Sequence, residues 1–145
     1  MTVFIDTGAW VAIADSNDQY SGEAGQLYKD LILKREQIVT SDFILVETYN
    51  LLLKTIGNRA AISFSNKLKA IPFLKIAPIT QQDWDRAWRI IEKYNDKDFS
   101  FTDCTSFALM ERLKIKTAFT FDYHFTQYGL AQIPLSLKNE SSETL

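Results

Sequence analysis

Four acidic residues stand where carboxylates could gather around a cation. Two short strand-like runs each end on an aspartate, Val3-Phe4-Ile5-Asp6 near the start and Ala118-Phe119-Thr120-Phe121-Asp122 near the end. In an open α/β sheet the functional crevice lies outside the carboxyl ends of the strands, so aspartates far apart in sequence can meet at one edge. Glu47 and Asp103 join them from segments that read as helices. Four converging carboxylates would raise one another's pKa values unless a cation neutralised them. An all-oxygen site without histidine or cysteine ligands suits magnesium, with manganese as the alternative. The chemistry such a site performs is metal-assisted hydrolysis of a phosphodiester.

Each acid also has a plainer reading. On a helix, Ile44, Glu47, Thr48 and Leu51 share one stripe, which sets Glu47 among apolar side chains. There an ionised carboxylate needs a cation, a donor or a solvent-filled cleft, and an ion pair at the edge of the core would serve as well. Ser100-Phe101-Thr102-Asp103 matches a capping box, so Asp103 has a purely structural role open to it, while the same position lets it project toward the strand ends. Asp6 and Asp122 share one pattern, a strand, an aspartate and a turn into helix, with hydroxyls nearby at Thr7 and Thr120. Turn or cap duty is the alternative for both. Asp98 reads as a solvated loop acid or an auxiliary to the cluster, and His124, the single histidine, as a loop residue beside Phe125 or a group that touches substrate or acts as an acid.

The elements that must position these residues alternate strand and helix, which predicts a mostly parallel sheet of four or five strands covered on both faces. Apolar runs at 2–5, 37–40, 74–79 and 117–121 read as strands, with 133–137 a weaker fifth. Helices are expected over 7–13, 21–34, 41–56, 58–70, 80–94 and 100–113, with Ser41, Thr80 and Ser100 or Thr102 as N-caps. Trp84 and Trp88 share a helix face with Ala87 and Ile91 and read as core or interface, while Arg86, Arg89 and Lys93 form a solvated stripe. The 145 residues are expected to form one domain over 1–137, followed by a polar, frayed tail over 138–145.

Composition narrows the function classes. With 46% hydrophobic and 23% charged residues the chain is globular, not disordered. A net charge of -2 excludes strong whole-molecule attraction to nucleic acid, so phosphates would be held by local groups such as Arg59, Lys67, Lys69, Arg86 and Arg89. Cys104, the single cysteine, cannot form an internal disulfide and reads as a small core residue. No signal-peptide pattern precedes the first strand and no apolar run reaches the roughly 20 residues of a membrane span. A cytoplasmic location without membrane contact is expected.

With the acids placed, the chain resembles the PIN-domain ribonucleases, particularly the VapC-type toxin of a toxin/antitoxin pair. The resemblance spans nearly the whole length and rests on Phe4-Ile5-Asp6-Thr7-Gly8-Ala9, Ile44-Leu45-Val46-Glu47-Thr48, Phe99-Ser100-Phe101-Thr102-Asp103-Cys104 and Thr120-Phe121-Asp122-Tyr123-His124-Phe125. It implies a three-layer α/β/α fold, Mg2+-dependent endoribonuclease activity on RNA, a cognate antitoxin and a homodimer. Carried over, it makes Asp6 and Asp103 the principal metal ligands, with Glu47 and Asp122 completing the catalytic set directly or through water. Tyr20 stands at a loop position where many relatives have histidine, a departure that bears on substrate contacts. The rival of the same fold is a metal-binding or RNA-binding scaffold that does not cleave. An aspartyl-phosphate enzyme ranks lower, because Gly8 occupies the place of the second aspartate that a phosphatase needs.

Overall fold

The computed structural model describes residues 1–135, so the expected tail at 138–145 and the end of the expected domain lie outside the described residues. Five strands, β1 (Thr2–Ile5), β2 (Gln37–Ser41), β3 (Leu74–Ala77), β4 (Thr117–Phe119) and β5 (Ala131–Ile133), form one sheet in the order β3-β2-β1-β4-β5. Every pairing is parallel. Seven helices connect them: α1 (Thr7–Ala14), α2 (Ser21–Leu33), α3 (Asp42–Thr55), α4 (Asn58–Lys69), α5 (Gln81–Lys93), α6 (Phe101–Leu113) and α7 (His124–Tyr128). The connections run from β1 outward to β3 and then return across β1 to β4. Right-handed crossovers therefore put α1 to α4 on one face and α5 to α7 on the other, giving three layers.

Three strands end earlier than expected, β3 at Ala77, β4 at Phe119 instead of 121, and β5 at Ile133, and proline accounts for the first and the last. Pro78 follows β3 and Pro134 follows β5, and a residue without an N–H cannot extend the ladder, so β3 stops short of 79 and the fifth strand lies at 131–133 instead of starting at 133. The expected caps are present: Ser41 Oγ accepts from Ile44 N at 3.0 Å, and Thr80 and Ser100 each form a complete capping box with Asp83 and Asp103. Among the described residues no helix is long and apolar enough to cross a membrane.

The core is packed tightly around the central strand. Phe4, Phe107, Phe119 and Phe125 are fully buried, each contributing roughly 2–3 kcal/mol by leaving water. Phe125 of α7 lies against Phe4 of β1 and against Phe107 of α6, with ring centroids 6.3 Å and 5.0 Å apart. That contact fixes the short helix that begins at His124. On the opposite face Trp10 Nε1 donates to Thr40 Oγ1 at 3.1 Å, and Thr40 Oγ1 donates to the Ile5 carbonyl at 2.9 Å. This buried chain ties α1 to the end of β1, where Asp6 emerges. Cys104 is buried as expected.

The helix faces of α5 and α3 differ from the sequence expectation. The buried stripe of α5 is Asp83, Ala87 and Ile90, so Trp84 and Trp88 are turned outward, 41% and 48% exposed, and lean on Phe101 with centroids 4.7 Å and 4.9 Å away. Arg86 is not a free member of a solvated stripe, since its Nε donates to Glu111 at 3.0 Å and its Nη2 lies 3.4 Å from Tyr128 Oη. In α3 the stripe runs Ile44, Thr48 and Leu52, so Glu47 is exposed at its flank and is not set among apolar side chains.

Candidate active site

The sheet order reverses between β1 and β4, and the crevice outside their carboxyl ends is where such a sheet holds its chemistry. A cavity of about 510 Å³ opens there, lined by Asp6, Glu47, Asp103 and Asp122 together with Asp18 and His124. All four acids singled out from the sequence therefore share one space. Asp98 does not line it.

Asp6 is the first residue beyond β1, and its backbone N–H continues the ladder to the Phe119 carbonyl at 3.1 Å. It occupies the N-cap position of α1 without making a side-chain cap bond, so cap duty does not account for the carboxylate. Instead its Oδ2 accepts from Thr120 Oγ1 at 2.9 Å. The same hydroxyl oxygen accepts from the Asp122 N–H at 3.0 Å, which turns the chain at the end of β4 and sets two carboxylates from one side chain. The other nearby hydroxyl, Thr7 Oγ1, is buried without a hydrogen-bond partner among the described residues.

Asp103 satisfies both of its readings at once. Its Oδ2 accepts from the Ser100 N–H at 3.1 Å while Ser100 Oγ accepts from the Asp103 N–H at 2.9 Å. The same Oδ2 lies 2.9 Å from His124 Nδ1, which is also 3.2 Å from Asp122 Oδ1. Of the two readings of His124 the structure favours the functional one, since it lines the cavity beside both carboxylates. Asp122 Oδ1 accepts from the His124 backbone N–H at 2.9 Å, which fixes the main chain there, and the ring is packed against Phe99 with centroids 5.5 Å apart.

The electrostatics follow from this crowding. Burial, then the Asp103 charge, pushes the Asp6 carboxyl up to about 7 against the hydrogen bonds from Thr7 and Thr120. Burial and the Asp122 charge likewise raise Asp103, opposed by the Ser100 N–H and His124. Buried carboxylates that are hard to ionise together are the donor set that a small divalent cation relieves, so the residues fit such an ion. Donor atoms of Asp103, Asp122 and His124 lie within 4.8 Å of one another, close enough to share one ion, and the imidazole stands at hydrogen-bond distance of both carboxylates.

Sequence reasoning did not single out one residue of the cavity and one ion pair that braces the fold away from it. Asp18 lines the cavity from the loop between α1 and α2, and its only sequence signal is the polar run at 15–20. Outside the cavity, Asp83, three residues after the Thr80 cap, is 1% exposed and receives a two-pronged bond from Arg112 at 2.8 Å and 2.9 Å, locking α5 to α6.

The comparisons with known proteins agree with this architecture. The sequence matches the PIN domain over residues 3–130. It is 29% identical over 131 residues to the 23S rRNA-specific endonuclease VapC20 of Mycobacterium tuberculosis, covering 90% of this chain and 97% of the relative. The crystal structure of VapC20, described as a Sarcin-Ricin loop cleaving toxin, superposes with a TM-score of 0.79 at 28% identity, covering 89% of this chain and 96% of that one. FitAcB from Neisseria gonorrhoeae shares the fold at a TM-score of 0.67 and 18% identity, over 90% of this chain and 95% of that one. VapBC2 from Rickettsia felis, bound to a DNA fragment from its promoter, does so at 0.69 and 14%, over 91% and 97%. With the matched segment running from β1 through β4 and the seven helices and holding the acidic crevice, this chain belongs to the PIN-domain family.

Proposed function

We propose that the protein is a divalent-metal-dependent endoribonuclease that acts in the cytoplasm as the toxin of a toxin/antitoxin pair. The observation that carries this reading is the convergence of Asp6, Asp103 and Asp122 at the sheet reversal, with two of the three pushed above their ordinary pKa. Asp6 and Asp103 would be the principal holders of Mg2+ or Mn2+, with Asp122 and Glu47 completing the set directly or through water. When bound, such an ion supplies a water acidic enough to attack a phosphodiester at neutral pH and charge to stabilise the leaving oxygen. The chain's own residues do the rest. Thr120 fixes Asp6 and the turn at Asp122, the Ser100 N–H and His124 hold Asp103, and exposed Glu47 lines the cavity with a carboxylate able to accept a proton.

The same acidity suggests the form of control. An antitoxin segment that inserts a basic side chain into the cavity would neutralise the carboxylates in place of metal. A homodimer is proposed through the outward rings of Trp84, Trp88 and Phe101, joined by Phe43, whose centroid lies 6.1 Å from Trp84. The VapC20 likeness makes ribosomal RNA the first substrate to assay. The test is cleavage of total and ribosomal RNA by the purified protein with magnesium, manganese or EDTA, beside Asp6→Asn. Metal-dependent cutting that the substitution abolishes is expected, and cutting that persists in EDTA or in the variant would overturn the reading.

A further inference from the structure

An aromatic pair forms part of the cavity wall. Tyr20, at the end of the α1–α2 loop, and Phe121, one residue before Asp122, stack face to face with centroids 4.3 Å apart and planes 3° from parallel. Both rings line the cavity that holds the acids. Phe121 is backed edge-on by fully buried Phe119 at 6.2 Å, which ties the stack to the core. Tyr20 is held from its own side, where Asp18 Oδ1 accepts from the Tyr20 N–H at 2.8 Å and the Asp18 carbonyl accepts from the Ser21 N–H at 3.0 Å. The platform is ordered before anything binds, so little conformational entropy remains to be lost on binding.

Charge makes the pair matter. Among the described residues the cavity wall carries Asp6, Asp18, Glu47, Asp103 and Asp122 and no Lys or Arg, so it repels the backbone of an approaching RNA. The molecule as a whole, at -2, does not compensate. A nucleotide seated beside the acids therefore needs an attraction that does not depend on phosphate. Aromatic faces supply one that every base can use. We propose that the Tyr20–Phe121 stack is a nucleobase platform that seats a nucleotide adjoining the scissile phosphate. Tyr20 on this view contacts the substrate base directly, and the proposal rests on the ribonuclease reading.

The experiment pairs substrate and side chain. Steady-state cleavage of an RNA is followed for the native protein, Tyr20→Phe and Tyr20→Leu, using the intact RNA and a series with one abasic nucleotide at each position near the cut. Binding is read in EDTA from quenching of 2-aminopurine placed at the same positions. The expected result is a rise in KM of about 10-fold to 100-fold for Tyr20→Leu, with kcat changed little and the quenching lost at one position, while Tyr20→Phe behaves as native. Removing the base at that position should cost the native protein a similar factor and cost Tyr20→Leu nothing more. Unchanged KM and quenching in Tyr20→Leu, or abasic substrates cut as well as intact RNA at every position, would overturn the platform while leaving the nuclease standing. Should Tyr20→Leu fail to fold, the abasic series on the native protein alone decides between a base-dependent and a base-independent site. A native protein that neither binds nor cuts RNA would overturn both proposals together.

Discussion

Replacing Asp6 by Asn should make the metal-free protein more stable at neutral pH while abolishing cleavage. The Asp6 carboxyl is raised from 3.8 to about 7, mainly by burial and then by Asp103. An acid whose folded pKa lies above its unfolded value leaves the folded state holding a proton that the unfolded chain has released. Its contribution therefore falls as pH rises from about 4 to about 7 and is fully unfavourable above that. A shift of about 3 units at 1.4 kcal/mol each sets a ceiling of about 4 kcal/mol, and relaxation around the ion reduces this to about 2 kcal/mol. The amide oxygen of Asn can still accept from Thr120, so the substitution removes the charge and keeps that bond. Urea unfolding in EDTA should place the variant's midpoint about 1 M above native at pH 8, the gap closing toward pH 4. Magnesium should then raise the native midpoint and leave the variant's largely unmoved. A variant less stable than native at pH 8, or a gap that does not change with pH, would show that Asp6 is not a strained carboxylate.

Ser100→Ala removes the acceptor for the Asp103 N–H and should cost about 1 kcal/mol in thermal or urea unfolding, whereas Asp103→Asn should eliminate cleavage, so equal effects of the two on activity would count against a catalytic Asp103. Arg112→Ala leaves Asp83 buried without its cation and should cost about 3 kcal/mol, with KM and kcat of the remaining folded protein unchanged. Burial pushes the Asp83 carboxyl up but the bonds from Arg112 and Thr80 outweigh it, so the native protein's advantage over Arg112→Ala should be full above about pH 4 and fade as acid protonates Asp83, measurable as converging urea midpoints. His124→Ala should weaken Mn2+ binding by about 10-fold in calorimetry, because the ring orients Asp103 and Asp122, and unchanged affinity would reduce it to packing. Trp88→Glu should convert a dimer to a monomer in light scattering without loss of helical signal, and a native protein that is monomeric at all concentrations would dispose of the proposed interface.

The acids could be read from the sequence because each sits where local rules fix the backbone. Asp6 directly follows a buried strand, Asp122 stands three residues past the end of β4, whose apolar run marks the place, and Asp103 is set by a capping box whose serine lies three residues away. The strand-helix alternation likewise yielded the parallel sheet. What escaped the reading depends on contacts between distant segments. His124 looks idle until Asp103, 21 residues earlier, is brought to its Nδ1. Asp83 looks like a cap until Arg112, 29 residues later, closes on it. Glu47 was misplaced, and Trp84 lost the core half of its reading, for a different reason: on short helices a stripe read one position off rotates by about a quarter turn, enough to exchange buried and exposed faces.

The distribution of stability in the fold then has a physical logic. Asp6 and Asp103 are held in positions that disfavour their ionised forms, a cost that only a strongly determined surrounding can bear. That surrounding is supplied from both faces of the sheet, by the Trp10–Thr40–Ile5 chain behind Asp6 and by Phe107 and Phe125 behind α6 and α7. Thr120 connects the two sides, since one hydroxyl serves both Asp6 and Asp122. The rigidity that keeps like charges together without a cation is the same rigidity that would present them ready-made to one, so the instability of the carboxylate cluster becomes affinity when a cation enters.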